Sequence, residues 1–174
     1  MNLKIKELPQ EYTSKDTCYM RNVVPRLFKI VEFLPNTTCV DYGGGKYDQT
    51  IKFLSEKQVT TRVYDPYNRS KEYNDETIQW VAAQDGVDYI CCANVLNIIK
   101  EEEVRSNVIK NISLMLKSGG TGYFMIYEGD KSGIGKPTGK GWQENRKAES
   151  YLSEIKGYFS SVKKRGTVII VSKK

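Results

Sequence analysis

A short apolar stretch that ends in an acid and leads into three glycines constrains this chain more than any other feature. The stretch is Thr38-Cys39-Val40-Asp41-Tyr42, followed by Gly43-Gly44-Gly45. Because glycine has no Cβ, such a turn can adopt positive φ and let a ligand lie against the backbone, and a helix that begins after it offers free N–H groups. A strand, a glycine loop and a helix in this order predict a nucleotide-type site in an α/β fold.

The residues that the loop lacks narrow the choice of ligand. A dinucleotide fingerprint needs a glycine at position 48, but the chain has Asp48, whose charge would face a pyrophosphate. A P-loop needs Gly-Lys-Ser/Thr, but the chain has Gly45-Lys46-Tyr47. Asp41 instead suits a ligand with a positive ammonium group and no phosphate. An ordinary strand-to-helix turn is the alternative interpretation of this segment taken alone.

This segment resembles the first motif of the class I methyltransferases, an apolar strand that ends in Asp or Glu and continues as x-Gly-x-Gly-x-Gly. Asp41, Gly43 and Gly45 match the motif, and Tyr47 stands in place of its third glycine. The resemblance implies S-adenosylmethionine as the cofactor, bound by Asp41 and by Gly43, Gly44 and Gly45.

A second acid follows the next predicted strand. Val59 to Tyr64 is rich in β-branched and aromatic residues, which favours a strand, and it ends in Asp65-Pro66. Asp65 comes 24 residues after Asp41, and an acid at the tip of the second strand can accept hydrogen bonds from ribose hydroxyls. The resemblance therefore implies that Asp65 and Pro66 contact the cofactor. A turn built by Asp-Pro is the alternative.

Two further strand ends are predicted to reach the same crevice. Val87 to Ala93 is almost continuously apolar, as in a strand covered on both faces of a parallel sheet, and is expected to be the central fourth strand. Asn94 and Val95 follow at its carboxyl end, where open α/β sheets place their sites, and the resemblance puts both beside the cofactor. Tyr127 and Glu128, after the next strand, are expected to help Asn94 position the acceptor. A loop cap is the alternative role of Asn94.

The remaining pattern predicts the rest of the fold. The helix over 101–116, the stop at 117–120 and the strand over 121–127 resemble the family's helix, leucine-lysine, paired-glycine and fifth-strand element. A helix is expected over 21–34, and 158–172 is expected to form a hairpin. A weak pattern over 68–84 indicates a short helix around Ile78, Val81 and Ala82, with a rudimentary or missing third strand. We therefore predict a three-layer α/β sandwich, with a mostly parallel twisted sheet, helices on both faces and a C-terminal antiparallel hairpin.

Length and composition exclude several functional classes. The 174 residues predict one domain, with residues 1–20 as a mobile lead segment. The chain contains no histidine, which is the commonest general base and transition-metal ligand, so no metal site is predicted. No apolar run approaches the ~20 residues of a membrane helix and no secretory signal follows Met1, so we expect a cytoplasmic protein without membrane contact.

A glycine- and lysine-rich loop over 129–142 is expected to lie on the substrate side. It leaves the carboxyl end of the predicted fifth strand, and its Lys131, Lys136 and Trp142, with Arg146 beyond it, suit phosphates and a stacked base. The net charge of +6 is consistent with a polyanionic partner. A solvated lid whose tryptophan anchors the fold is the alternative.

These features together predict an S-adenosylmethionine-dependent methyltransferase, with a nucleic acid or nucleotide as one candidate acceptor. The resemblance extends to small methyltransferases carried by bacteria and their phages, many without a known substrate. A small-molecule methyltransferase, a non-catalytic S-adenosylmethionine-binding protein and a nucleic-acid-binding module are the alternatives. No motif names the acceptor or the oligomeric state.

Overall fold

Six of the eight strands form one mixed sheet in the computed structural model, which describes residues 3–13 and 21–173. The strands are β1 (Thr37–Tyr42), β2 (Val59–Tyr64), β3 (Val87–Ala93), β4 (Leu116–Met125), β5 (Lys136–Thr138), β6 (Gly141–Gln143), β7 (Ser161–Arg165) and β8 (Val168–Ser172). The order is β2-β1-β3-β4-β8-β7, while β5 and β6 pair separately. Strands β1 to β4 are parallel, and β8 is antiparallel to β4 and β7. The predicted sheet and C-terminal hairpin are confirmed.

Helices cover both faces of this sheet. They are α1 (Arg26–Ile30), α2 (Gln49–Ser55), α3 (Lys71–Ala83), α4 (Glu102–Met115) and α5 (Leu152–Lys156). Buried residues of α1 and α2 form one apolar cluster with the sheet, and those of α3, α4 and α5 form the other. The three-layer arrangement is therefore confirmed. No helix in the described ranges combines the length and apolarity that a membrane span requires.

Several elements differ from the sequence prediction. α1 spans only five residues because Pro25 stands at its N-cap and the chain is extended from Val31. α3 is longer than expected, since the Ser70 hydroxyl accepts a hydrogen bond from the Tyr73 N–H and caps its first turn. No strand lies between β2 and β3 in the part of the chain that the structure describes, and β3 pairs directly with β1. β3 is therefore the third strand of the chain, not the fourth.

Residues 3–13, predicted to be part of a mobile segment, instead pack against the body of the protein. Leu3, Ile5 and Leu8 contact the buried cluster on the α3 and α4 face. Burial of these apolar side chains stabilises a segment that has no regular secondary structure. We call residues 3–13 the N-terminal strap. Residues 14–20 of the predicted mobile segment lie outside the described residues.

Hydrogen bonds fix the N-terminal strap across the ends of two strands. Glu7 Oε1 accepts hydrogen bonds from the Tyr64 hydroxyl (2.7 Å), the Tyr42 hydroxyl (3.4 Å) and Asn111 Nδ2 (3.3 Å). The Lys6 carbonyl accepts a further bond from Asn111 Nδ2 at 2.8 Å. Burial raises the pKa of Glu7, and the hydrogen bonds from the two tyrosines oppose that shift. The Glu7 carboxylate thus joins the strap to β1, β2 and α4.

Substitution of Glu7 by Ala should destabilise the protein, because the tyrosine hydroxyls and the Asn111 amide lose their shared acceptor. The expected cost is about 1–3 kcal/mol of unfolding free energy. Glu7→Gln, which keeps an acceptor oxygen, should cost less, and Lys4→Ala on the exposed side of the strap should cost little. Urea denaturation of the three variants measures these differences. Equal unfolding free energies for Glu7→Ala and Lys4→Ala would show that the strap is not held through Glu7.

Candidate functional site

A cavity of about 750 Å³ opens at the carboxyl ends of β1 to β4. This volume falls within the roughly 300–1,000 Å³ of typical small-molecule sites. Its wall combines the glycine loop, the residues that follow β2, β3 and β4, the segment before α1 and the β5–β6 hairpin. The wall residues used below are Asp41, Gly43, Gly44, Gly45, Gln49, Asp65, Asn68, Asn94, Val95, Asn97, Met125, Tyr127, Gly139, Lys140, Trp142 and Gln143.

Asp41 is a buried acid in this wall. It is 1% exposed, and its Oδ2 accepts a hydrogen bond of 2.7 Å from the Thr50 hydroxyl. Burial and, to a smaller extent, the nearby charge of Asp65 raise the pKa of Asp41 to about 7, against the effects of the Thr50 hydrogen bond and the Arg69 charge. A group that ionises near neutral pH inside a cavity is a candidate for binding a cation.

The glycine loop fits closely around Asp41 and Val95. Gly43 and Gly45 have φ of +75° and +78°, a region that other residues adopt at a cost. A Cβ on Gly43 would lie 2.4 Å from Val95 Cγ2, and one on Gly44 would lie 2.4 Å from Asp41 Oδ2. The glycines are therefore required by contacts within the protein, and these contacts bring the loop against the two neighbouring strand ends.

Asp65 holds the loop against the end of β2. Its Oδ2 accepts a hydrogen bond of 2.8 Å from the Gly45 N–H, and its Oδ1 accepts 3.0 Å bonds from the N–H groups of Tyr67 and Asn68. Asn68 Nδ2 lies 3.1 Å from both carboxylate oxygens. Asp65 lines the cavity, as predicted, but its oxygens are bonded within the protein.

Arg69 fastens the same loop from the other side. Its Nε donates to the Gly45 carbonyl at 2.7 Å, and one NH2 group lies 2.8 Å from both the Tyr47 carbonyl and Asp48 Oδ1. Tyr47, which replaces the third glycine of the family motif, therefore contributes its backbone carbonyl to a clamp. Asp48 faces Arg69, so its charge is balanced within the protein. The sequence pattern gave no indication of this clamp.

Asn94 and Val95 lie in the wall where the sequence placed them, directly after β3. Asn94 adopts φ of +59°, a left-handed conformation that Asn tolerates better than most residues. Its N–H donates to the Met125 carbonyl at 2.8 Å, which ties the end of β3 to the end of β4. The exposed side chain of Asn94 is thereby set at the cavity by a constrained backbone.

Two buried amides that sequence analysis missed hold the next part of the wall. Asn97 and Gln143 are 2% and 8% exposed, and Asn97 Nδ2 donates to Gln143 Oε1 at 3.2 Å. The Tyr127 N–H donates to Asn97 Oδ1 at 3.4 Å, and Gln143 Nε2 donates to the Tyr127 carbonyl at 3.0 Å. Asn97 could have been suspected from its position three residues after Asn94, whereas nothing in the sequence singles out Gln143.

Gln49 is another wall residue that the sequence did not indicate. It is the first residue of α2, directly after the loop. Its Oε1 is buried and has no hydrogen-bond partner among the described residues. Because an unpaired buried oxygen is costly, this atom is a candidate acceptor for a donor group of a ligand.

The structure does not bring Glu128 or Pro66 to the cavity wall. Glu128 Oε1 accepts a hydrogen bond of 2.8 Å from the Ala148 N–H, and Oε2 lies 3.4 Å from Lys131 Nζ. The bond to Ala148 and the charge of Lys131 lower the pKa of Glu128. Glu128 therefore fastens the segment before α5, and its predicted role beside the acceptor is not supported by its position.

The basic residues predicted to contact substrate are mostly paired with acids outside the wall. Lys131 faces Glu128, and Lys136 Nζ lies 2.8 Å from Asp130 Oδ2. Arg146 lies 2.8 Å from Glu154. Trp142, by contrast, lines the cavity as predicted, together with Lys140.

Substitution of Gly44 by Ala should disturb the site because the new Cβ would overlap the buried Asp41 carboxylate. Overpacking of this kind costs about 1–3 kcal/mol of unfolding free energy. Gly139→Ala is the matched control, because it adds the same methyl group to the cavity wall where no atom lies within 4 Å. Urea denaturation measures both variants. Equal stability of the two would contradict the close packing of Gly44 on Asp41.

Comparison with known proteins establishes the fold. No protein-family model and no curated protein sequence matches the chain. Its structure is similar to 1,6-didemethyltoxoflavin-N1-methyltransferase of Burkholderia thailandensis, solved with 1,6-didemethyltoxoflavin and S-adenosylhomocysteine, with a TM-score of 0.60 and 13% identity over 81% of this chain and 72% of that one. It is also similar to an S-adenosylmethionine-dependent methyltransferase of Clostridium acetobutylicum, with a TM-score of 0.54 and 14% identity over 80% of this chain and 85% of that one. The [4+2]-cyclase SpnF is similar as well, with a TM-score of 0.53 and 13% identity over 80% of this chain and 58% of that one. The chain thus has the α/β fold of the class I methyltransferases.

Proposed function

We propose that this protein is an S-adenosylmethionine-dependent methyltransferase. The observation that carries the proposal is a buried acid, Asp41, with its pKa raised to about 7 at the wall of the cavity beside the glycine loop. A carboxylate in such a place is stabilised by a cationic ligand. S-adenosylmethionine carries an ammonium group and, on its sulfonium, a methyl group already activated for transfer.

The residues present fit this cofactor in charge and in shape. Asp41 would hold the ammonium group, and the unpartnered Oε1 of Gln49 could accept a further hydrogen bond from it. Asp65 and Asn68 offer polar groups that suit ribose hydroxyls. Val95, which packs against Gly43, offers an apolar contact at the end of β3. Apart from Gln49, which begins α2, these side chains come from three strand ends that meet at one edge of the sheet.

Methyl transfer requires alignment more than acid or base strength, so positioning groups suffice for it. Asn94 can orient a nucleophilic amine, amide or hydroxyl through its amide group. Its backbone is tied to Met125, so the side chain starts from a fixed point. Tyr127 lies in the same wall and can contribute a hydroxyl or a ring surface.

The placement of the charges favours a small-molecule acceptor over a nucleic acid. Lys131, Lys136 and Arg146 would have to contact phosphates, but each is paired with an acid and none lines the cavity. A pair of opposite charges offers less to a phosphate than a bare lysine does. The cavity itself has the size of a small-molecule site.

A non-catalytic S-adenosylmethionine-binding protein is the second candidate. It is favoured by the position of Glu128, because the carboxylate expected beside the acceptor is engaged with Ala148 and Lys131. Mass spectrometry of a cell extract incubated with isotope-labelled S-adenosylmethionine separates the two functions. Protein-dependent transfer of label to any acceptor would exclude the pure binding protein.

The affinity for S-adenosylmethionine should rise as the pH increases through about 7, because Asp41 must lose its proton to pair with the ammonium group. Ionisation of Asp41 lowers the stability of the protein without cofactor, because the pKa of Asp41 in the folded protein lies above that of an unfolded aspartate. Cofactor binding offsets that cost. Calorimetry from below to above pH 7 should show this rise in the native protein and a flatter profile in Asp41→Asn. An equal pH dependence in both would assign the effect to another group.

The variants Asp65→Asn and Asn68→Ala should have opposite effects if Asp65 accepts the ribose hydroxyls. Asp65→Asn removes a charged acceptor and should weaken the binding of S-adenosylhomocysteine by about 1.5–3 kcal/mol. Asn68→Ala removes the amide that occupies both carboxylate oxygens, so affinity should be retained or increased. Calorimetry measures both. Loss of affinity in Asn68→Ala with no loss in Asp65→Asn would instead make Asn68 the ribose ligand.

A further inference from the structure

Tyr127 presents an exposed aromatic ring at the cavity. Its side chain lines the wall and the residue is 61% exposed, whereas Met125 and Ile126 just before it are buried. β4 ends at Met125, so the sheet does not itself require a fixed backbone at Tyr127. A large ring held open at a cavity mouth is an efficient contact surface, because it has few rotatable bonds to immobilise.

The backbone of Tyr127 is nevertheless held from both sides by buried groups. Asn97 accepts from its N–H, Gln143 donates to its carbonyl, and the two amides bond to each other. Burial of two amides is costly unless their polar atoms are paired, and this arrangement pairs them through Tyr127. The two amides therefore fix the backbone from which the Tyr127 ring projects.

Trp142, the residue before Gln143, is also held in place. Its Nε1 donates to Glu144 Oε2 at 2.7 Å, and its ring lies 5.4 Å from the ring of Tyr12 in the N-terminal strap. A Cβ on Gly135 would lie 2.4 Å from its Cζ2, so the loop also packs closely on the indole. Trp142 is thus an aromatic group in the cavity wall whose ring is held by its neighbours.

We propose that Tyr127 and Trp142 bind a flat aromatic small molecule as the acceptor, with Asn97 and Gln143 as the residues that position Tyr127. This inference rests on the proposed function, because it assigns the acceptor side of the same cavity. A fixed backbone at Tyr127 and a packed ring at Trp142 lower the entropic cost of ordering the site. The amide of Asn94 lies in the same wall to orient the group that receives the methyl.

The inference can be tested by calorimetry with defined flat heterocycles in the presence of saturating S-adenosylhomocysteine. The probes are quinoline, xanthine and pterin, and cyclohexanol is the non-planar control. At least one flat probe should bind and cyclohexanol should not. Tyr127→Ala should lower the affinity for that probe by about tenfold, which is the contribution of one stacking contact. Tyr127→Phe should retain most of the affinity. A hydroxyl-dependent role for Tyr127 would instead show equal loss in both variants and overturn the stacking assignment.

The positioning role is tested by Gln143→Glu, which keeps an acceptor for Asn97 but removes the donor to the Tyr127 carbonyl. Binding of the heterocycle should weaken while S-adenosylhomocysteine binds as before. A purely structural effect would lower both affinities together and would overturn the role. Glu149→Gln, at an exposed carboxylate outside the cavity wall, is the matched control and should change neither affinity.

Failure of the inference and failure of the proposed function give different results. If the native protein does not bind S-adenosylhomocysteine, the proposed function is wrong. If it binds S-adenosylhomocysteine but none of the flat probes, the acceptor inference is wrong and the function stands. Transfer of labelled methyl to DNA or RNA that is unchanged in Tyr127→Ala would likewise overturn the inference in favour of a polynucleotide acceptor.

Discussion

Two buried acids, one on either side of the glycine loop, constrain the structure of the rest of the site. Asp41 and Asp65 are 1% and 2% exposed, and a buried carboxylate must be hydrogen-bonded or paired. Asp65 meets this requirement within the protein through Gly45, Tyr67 and Asn68. Asp41 accepts a hydrogen bond from the Thr50 hydroxyl, and burial raises the pKa of its carboxyl. Both acids therefore contact the loop, and under the proposed function Asp41 also pairs with the ammonium group of the cofactor.

The strands and the loop could be predicted because the sequence patterns that indicate them lie within the elements themselves. β2 and β3 begin and end where the β-branched and apolar runs begin and end, and the glycines mark the turn that follows β1. α3 was underestimated because Asn74, a polar residue, lies buried in its first turns. Its amide bonds to both the N–H and the carbonyl of Asp65. A periodicity of apolar residues cannot reveal a helix face that packs through hydrogen bonds.

The positions of the residues assigned to the cofactor were predicted better than the positions of those assigned to the acceptor, and the reason is physical. Asp41, Asp65 and Asn94 sit at strand ends, whose common edge follows from parallel pairing alone. Lys131 and Lys136 were assigned from charge, but a charge in the sequence does not reveal which acid it will face in the fold. Gln143 was missed because its importance arises from contacts with Asn97 and Tyr127, which are distant in sequence.

Hydrogen bonds between segments replace regular secondary structure in the regions around this site. With no strand between β2 and β3 in the described ranges, the chain turns directly from β2 into α3, and Arg69 and Asn74 fasten that turn to the loop and to Asp65. The N-terminal strap closes over the neighbouring strand ends through Glu7 and reaches the cavity wall through Tyr12. Because hydrogen bonds are directional, each of these contacts restrains the backbone position of the segment that it joins. A short chain can therefore hold a precise site with few regular elements around it.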